Sequence, residues 1–174
     1  CVVTLDECVT VSANIDGGQP WRRSVGDNVV YTDWHRDNFW RAVLKVVGKS
    51  SRVGVEFDHL SLAANALLAE TLPNAEVVDI APDVMLHRTI KSVEEIELIT
   101  AGAAVADIGG FAVRESIRVG ATEYEVAAAG RGAMEEEIAR RFPGSEIRDT
   151  WVWFQSGLNT DGAHNPVTTR QLVA

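Results

Sequence analysis

Apolar and polar positions alternate at two different periods along this chain, and the change of period divides it. Val2 to Leu5 and Cys8 to Val11 are β-rich runs separated by Asp6-Glu7, a spacing that predicts an antiparallel hairpin. A Gly-rich loop, Ser12 to Pro20, follows, and Val29 to Thr32 predicts another short strand. Phe39, Val43, Val46 and Val47 recur at helical spacing within Asp33 to Lys49, with Asp33 or Asp37 as N-cap and Gly48 as the stop. Arg52 to Glu56 reads as a strand, Ser61 to Leu72 as a helix ended by Pro73, and Ala75 to Ile80 as a further strand. Strands alternating with helices predict α/β layering for this half.

From Pro82 to Thr89 the alternation gives way to an expected connector, with a domain boundary near Arg88. Two capping boxes then open two long helices. Ser92 with Glu95 starts one that runs to about Val119 before Gly120, with Ile96, Ile99, Ala103, Ala106, Gly110, Val113 and Ile117 as its small, apolar stripe. Thr122 with Glu125 starts another, through Arg141, closed by Phe142-Pro143-Gly144. Period two returns in Asp149 to Arg170. There Trp151, Trp153 and Gln155 alternate with Val152, Phe154 and Ser156, which predicts an aromatic strand, and turn-forming residues then deliver a single histidine, His164, just before Asn165-Pro166. An imidazole on a constrained loop is well placed for catalysis. From spacing alone a structural histidine fits equally and is commoner, so both readings stand at this point.

Composition narrows the classes. The chain has 174 residues, 46% of them hydrophobic and 24% charged, enough for one globular domain or two small ones with a real core. A net charge of -9, from 25 acidic and 16 basic residues with no basic cluster, argues against a nucleic-acid partner. No uninterrupted apolar run approaches a membrane span and no signal segment opens the chain, so a soluble, cytoplasmic protein without a membrane partner is expected. Cys1 and Cys8 flank the hairpin without a CxxC or Cys/His cluster; buried free thiols are expected, and a disulfide across the hairpin stays open. The sequence begins and ends within apolar strand patterns and reads as an internal piece of a longer chain.

Other chemistry-bearing residues carry less. Asp16-Gly17-Gly18 lacks the spacing of a phosphate-binding loop and reads as a turn. His35, His59 and His87 lack metal-ligand spacing and are expected in loop or capping roles. Glu135, Glu136 and Glu137 fan over roughly 200° of a helix, so they are expected on a solvated face rather than around one substrate.

Four stretches together carry a resemblance: RTIKSVEEIELI from Arg88, DTWVWFQSGLNTDGAHNPVTTR from Asp149, SANIDGGQPWRR from Ser12 and VYTDWHRDNFW from Val30. The first is shared across the pita-bread group that includes prolidase and aminopeptidase P. The SGLNTDGAHNPVTTR run and DGGQPWRR resemble the creatinase family, the creatine amidinohydrolases. The resemblance implies an α/β (α+β) fold: residues 1–88 as a creatinase/prolidase-like N-terminal domain lacking its start, and residues 89–174 as the beginning of a pita-bread catalytic domain. It implies hydrolysis of creatine to sarcosine and urea with no metal and no cofactor, a homodimer with shared sites, and His164 as the catalytic general base and acid. The substrate-holding glutamates and arginines of the family would lie outside this sequence, so the chain alone is expected to be inactive. A metal-dependent X-Pro peptidase of the same fold and a non-catalytic binding module are the alternatives.

Overall fold

Thr4 sets the first turn. Its Oγ1 accepts from the N–H groups of Asp6 (3.3 Å) and Glu7 (3.1 Å), and its own N–H donates to the Glu7 carbonyl at 2.9 Å. The chain therefore reverses between β1 (Val2–Val3) and β2 (Cys8–Ala13), which pair antiparallel with Val2 opposite Val9 and Val3 opposite Cys8. The structure, a computed structural model, describes residues 1–17, 19, 23–32, 34–35, 38–147 and 150–174. Two units divide the chain, Cys1–Ile90 and Lys91–Ala174.

In the first unit β3 (Asp27–Tyr31) pairs in parallel with β2, from Val9 opposite Asp27 to Ala13 opposite Tyr31. Helix α1 (Asn38–Val47) packs on this sheet, and Asn38 Nδ2 donates to the Thr32 carbonyl at 2.6 Å to fix its entry. Its expected caps, Asp33 and Asp37, lie outside the described residues, as do Gly18 and Pro20 of the Gly-rich loop and Trp21 and Arg22 after it. A second sheet pairs β4 (Arg52–Val55) and β5 (Glu76–Asp79) in parallel, joined by α2 (Leu62–Thr71). Ser61 Oγ caps α2 by accepting from the Ala64 N–H at 3.2 Å. The α/β layering is as the periodicity predicts, in two small sheets. A cavity of about 730 Å³, within the roughly 300–1,000 Å³ range of ligand sites, opens within this unit, walled by Val11, Phe39, Val43, Val53, Leu68 and Ile80.

Three expectations fail in instructive ways. The predicted connector from Pro82 is a helix, α3 (Ala81–Thr89). Proline in a first helical turn forfeits no hydrogen bond, Asp79 Oδ1 accepts from the Ala81 N–H at 3.0 Å, and His87 and Arg88 suit the negative C-terminal end. Pro82 therefore starts a helix where a connector is expected. Cys1 is exposed and Cys8 half-buried, so neither is a buried thiol; both are free, with their Sγ atoms 3.3 Å apart. Of the three consecutive glutamates only Glu136 is exposed on the solvent side. Glu135 accepts from Thr150 Oγ1 at 3.0 Å, and Glu137, 13% exposed, binds Arg140 and Arg141, whose hydrogen bonds lower its pKa to about 2.

The second unit is built on two helices, α4 (Val93–Ser116) and α5 (Glu123–Arg141), each opened by the predicted capping box. Ser92 Oγ accepts from Glu95 N–H (3.2 Å) while Glu95 Oε2 accepts from Ser92 N–H (2.7 Å). Thr122 and Glu125 repeat the exchange at 3.1 and 2.8 Å. Helix α4 stops at Ser116, short of Val119, because Ile117 turns extended and residues 120–124 are engaged with residues 168–172. Its buried residues are Val105 and Gly109, each one position before the expected Ala106 and Gly110, because α4 is apolar on most sides and its period alone leaves the phase open.

The two helices meet backbone to backbone at Gly109 and Gly130. A Cβ on Gly130 would lie 2.6 Å from Val113 Cγ2 and 3.3 Å from the Gly109 carbonyl oxygen. Away from this contact Val93, Ile96, Ile99 and Phe111 remain more than half exposed. By length and composition α4 is apolar enough to cross a membrane, with mean hydropathy 1.6 over 18 residues, although Glu97 and Asp107 interrupt its run. Core helices of soluble proteins share that property.

Replacing Gly130 by Ala should lower stability by about 1–3 kcal/mol, since the stiff Val113 side chain and the Gly109 backbone would have to yield. Urea unfolding followed by far-ultraviolet circular dichroism reads the change; an unchanged midpoint would contradict the close crossing.

Candidate functional site

The N-terminus of α5 leaves N–H groups that the helix itself cannot satisfy. Residues 168–172 run antiparallel to residues 120–124 and supply the acceptors. Glu123 N–H donates to the Arg170 carbonyl and Tyr124 N–H to the Thr168 carbonyl, each at 3.0 Å. Gly120 N–H to Leu172 O (2.9 Å) and Leu172 N–H to Ala121 O (2.8 Å) extend this pairing, with Thr122 opposite Gln171. Backbone bonds thus seat the end of the histidine-bearing stretch on the start of a helix.

The Glu123 side chain does the rest. It is fully buried, at 0% exposure, and among the described residues its hydrogen-bond partners are uncharged. Its Oε1 accepts from the Ser156 N–H (2.7 Å), Ser156 Oγ (2.8 Å) and Asn159 Nδ2 (3.1 Å). Its Oε2 accepts from Thr168 Oγ1 (2.6 Å), Asn159 Nδ2 (2.9 Å) and the Thr168 N–H (3.3 Å). Burial alone would raise this carboxyl's pKa, but the donors from Thr168, Ser156 and Asn159 outweigh it and lower the value to about 2. A carboxylate at the first helical position also meets the positive end of the helix dipole.

Those three residues bracket the loop that carries His164. Between them a 3-10 turn, Gly157–Asp161, begins at Gly157, whose φ of +52° and contact with Arg170 leave no room for a side chain; a Cβ there would lie 2.5 Å from an Arg170 guanidinium nitrogen. Asn165 closes the loop. Its Nδ2 donates to the Asn159 carbonyl (3.0 Å) and to Asp161 Oδ1 (2.6 Å), and its carbonyl accepts from Gln155 Nε2 at 2.8 Å. His164 is therefore held on both sides in sequence while its own ring stays exposed.

The imidazole lies against Trp153, with ring centroids 5.7 Å apart and planes inclined by 54°, and Trp153 in turn stacks on Trp151 at 5.8 Å and 11°. Trp151 and Trp153 are 67% and 48% exposed. The stretch from Trp151 to Ser156, where alternation predicts an aromatic strand, is not a ladder strand: among the described residues none pairs with it. It is held instead by side chains, Thr150 on Glu135 and Ser156 on Glu123, with Val152 set against Gly130. A groove of about 260 Å³ runs beside it, lined by Tyr124, Ala127, Arg131, Trp151, Trp153 and Pro166.

The structure thus places His164 on an exposed, braced loop with an aromatic partner. The other histidines lie elsewhere in sequence and environment: His35 and His59 in exposed turns, His87 in the last turn of α3. No group of three or more His, Cys, Asp or Glu side chains that could hold a metal ion comes together among the described residues. Sequence reasoning missed Glu123, which stood inside a recognised capping box. Its partners lie 33 to 45 residues away, and only the recurrence of small donors at Ser156, Asn159 and Thr168 hinted at a buried acceptor.

Comparison with known proteins bears on both units. Residues 13–90 match the family model for the creatinase/prolidase N-terminal domain. Creatinase from Bacillus sp. is 59% identical over 98% of this chain, which covers 43% of that protein. An uncharacterised hydrolase/peptidase of Sinorhizobium fredii is 38% identical over 76 residues, 44% of this chain and 20% of that one. Among solved structures, a prolidase from Thermococcus sibiricus matches with a TM-score of 0.66 at 16% identity, covering 96% of this chain and 44% of its own. An X-Pro aminopeptidase from Thermotoga maritima matches with a TM-score of 0.63 at 20% identity, covering 78% of this chain and 38% of its own. At these identities the structural matches show the fold alone. The chain spans less than half the length of each of these relatives.

Glu123→Ala should cost more than about 3 kcal/mol, because it strands several buried donors at once. The pH dependence is a second check. The Glu123 pKa is lowered from 4.5 to about 2 by folding, so its stabilisation is present above 4.5 and lost as pH falls towards 2. In Glu123→Gln the fall of stability across that window should be shallower than in the parent chain; equal slopes in urea melts at pH 5 and pH 3 would contradict the assignment.

Proposed function

The chain belongs to the creatinase/prolidase family, and from that premise we propose that it serves the hydrolysis of creatine to sarcosine and urea. The observation that carries this reading is the 59% identity to a creatinase over 98% of the chain. On the same reading residues 1–88 form the N-terminal domain and residues 89–174 begin a pita-bread catalytic domain. The protein acts as a homodimer.

The chemistry asks for one group that moves a proton twice. His164 takes a proton from water as the water oxygen bonds to the guanidinium carbon. It then delivers that proton to the tertiary nitrogen, the C–N bond breaks with its electron pair going to that nitrogen, and sarcosine departs. The carbon fragment loses its hydroxyl proton to solvent as the urea carbonyl forms. An imidazole can accept and return a proton near neutral pH, and general acid–base catalysis of this kind contributes about 10²- to 10⁴-fold. An exposed ring beside Trp153, on a loop braced by Asn165 and Glu123, supports this role because the imidazole can reach a substrate while its backbone stays fixed. Among the described residues no carboxylate is bonded to the His164 ring; on this reading the groups that hold the guanidinium and the carboxylate of creatine belong to other parts of the complete protein.

Urea release from creatine by the full-length protein tests the proposal. Turnover is expected, and His164→Asn should reduce kcat by about 10²- to 10⁴-fold with little change in thermal stability. Absence of urea release, or cleavage of an X-Pro peptide in its place, would overturn the creatinase reading; full kcat in the variant would overturn the role of His164.

A further inference from the structure

We propose that Cys1 and Cys8 are a paired redox site, a dithiol that a low-molecular-weight disulfide converts into a bridge across the first hairpin. The register puts the two thiols together. Val3 lies opposite Cys8, and Cys1 shares a face with Val3 because side chains two apart on a strand point the same way. Cys1 and Cys8 are therefore diagonal neighbours on one face of the ribbon, and their Sγ atoms approach to 3.3 Å. The Thr4 turn holds that register through three hydrogen bonds: Thr4 Oγ1 accepts from the N–H groups of Asp6 and Glu7, and the Thr4 N–H donates to the Glu7 carbonyl.

Exposure differs in the direction that exchange chemistry needs. Cys1 is exposed and open to attack by, or upon, a small disulfide, whereas Cys8 is half-buried and, with its Sγ 3.3 Å away, positioned to resolve the product. In the first step the Cys1 thiolate bonds to one sulfur of the reagent, whose S–S bond breaks and releases one thiolate. In the second the Cys8 thiolate bonds to Cys1 Sγ and releases the other. One S–S bond is broken and one formed; two electrons and two protons pass from the protein to two molecules of small thiol. The bridge closes a ring of eight residues and fastens the two-residue edge strand β1 to β2 beyond the pairs Val2–Val9 and Val3–Cys8. Cys1 also borders the 730 Å³ cavity of this unit, so oxidation would pin β1 along that opening.

The test is equilibrium of the full 174-residue chain with mixtures of reduced and oxidised glutathione, native and in concentrated urea, read by free-thiol titration and intact mass. In the native chain both thiols should disappear together with the loss of two hydrogen atoms. The bridge should form at a glutathione disulfide level at least about tenfold lower than in urea, because folding raises the effective concentration of one thiol near the other. Cys8→Ser should instead trap one glutathione on Cys1. Equal oxidation in the native and unfolded chains, glutathione retained on the unsubstituted native chain, or bridges between chains in place of the internal one would each overturn the proposal.

Discussion

A carboxylate with no solvent around it has to be surrounded by donors, and in the second unit that requirement falls on Glu123. Ser156, Asn159 and Thr168 meet it with three side chains and two backbone N–H groups. Desolvating a charge is expensive unless its acceptor sites are filled, so the three partners have little freedom to move apart. They are drawn from both ends of one loop, and the loop between them inherits a fixed shape without a sheet ladder to support it. The start of α5 is bound into the same arrangement through the carbonyls of Thr168 and Arg170. His164 owes its placement to a group that never touches it.

This division of labour makes the site tolerant in one way and fragile in another. The imidazole meets Trp153 and otherwise faces outward, so its chemistry can be altered with little consequence for folding. Behind it, the bonds of Ser156, Asn159 and Thr168 converge on the same buried charge. Gly157 and Gly130 tighten the frame further, the one by making room for the Arg170 guanidinium, the other by letting α4 approach α5 and leaving a seat for Val152. Precision at an exposed residue is supplied from the interior.

Much of this was legible locally. Both capping boxes, the hairpin and the βαβ alternation follow from residue types within a few positions of one another. What escaped had distant causes. Proline at residue 82 means a helix start only because Asp79 and Ile80 present the preceding strand's end to it. The buried face of α4 is chosen by Gly130, which no period within α4 records. Trp151 to Ser156 has a strand's alternation but no ladder, since pairing depends on a neighbour and alternation does not. Glu123 looked like one more acidic residue in a first helical turn. A buried acceptor is recognisable only with its donors, and these lie more than thirty residues downstream.

The most direct measurement is a pH titration of the Glu123 side-chain carboxyl by carbon-13 NMR, read together with the backbone amides of Ser156 and Thr168. The carboxyl should stay ionised through pH 4 and titrate near pH 2, with the two amides shifting at the same midpoint as the loop releases. A midpoint near 4.5, with the amides of Ser156 and Thr168 unmoved, would contradict the account that this one buried charge holds the His164 loop in place.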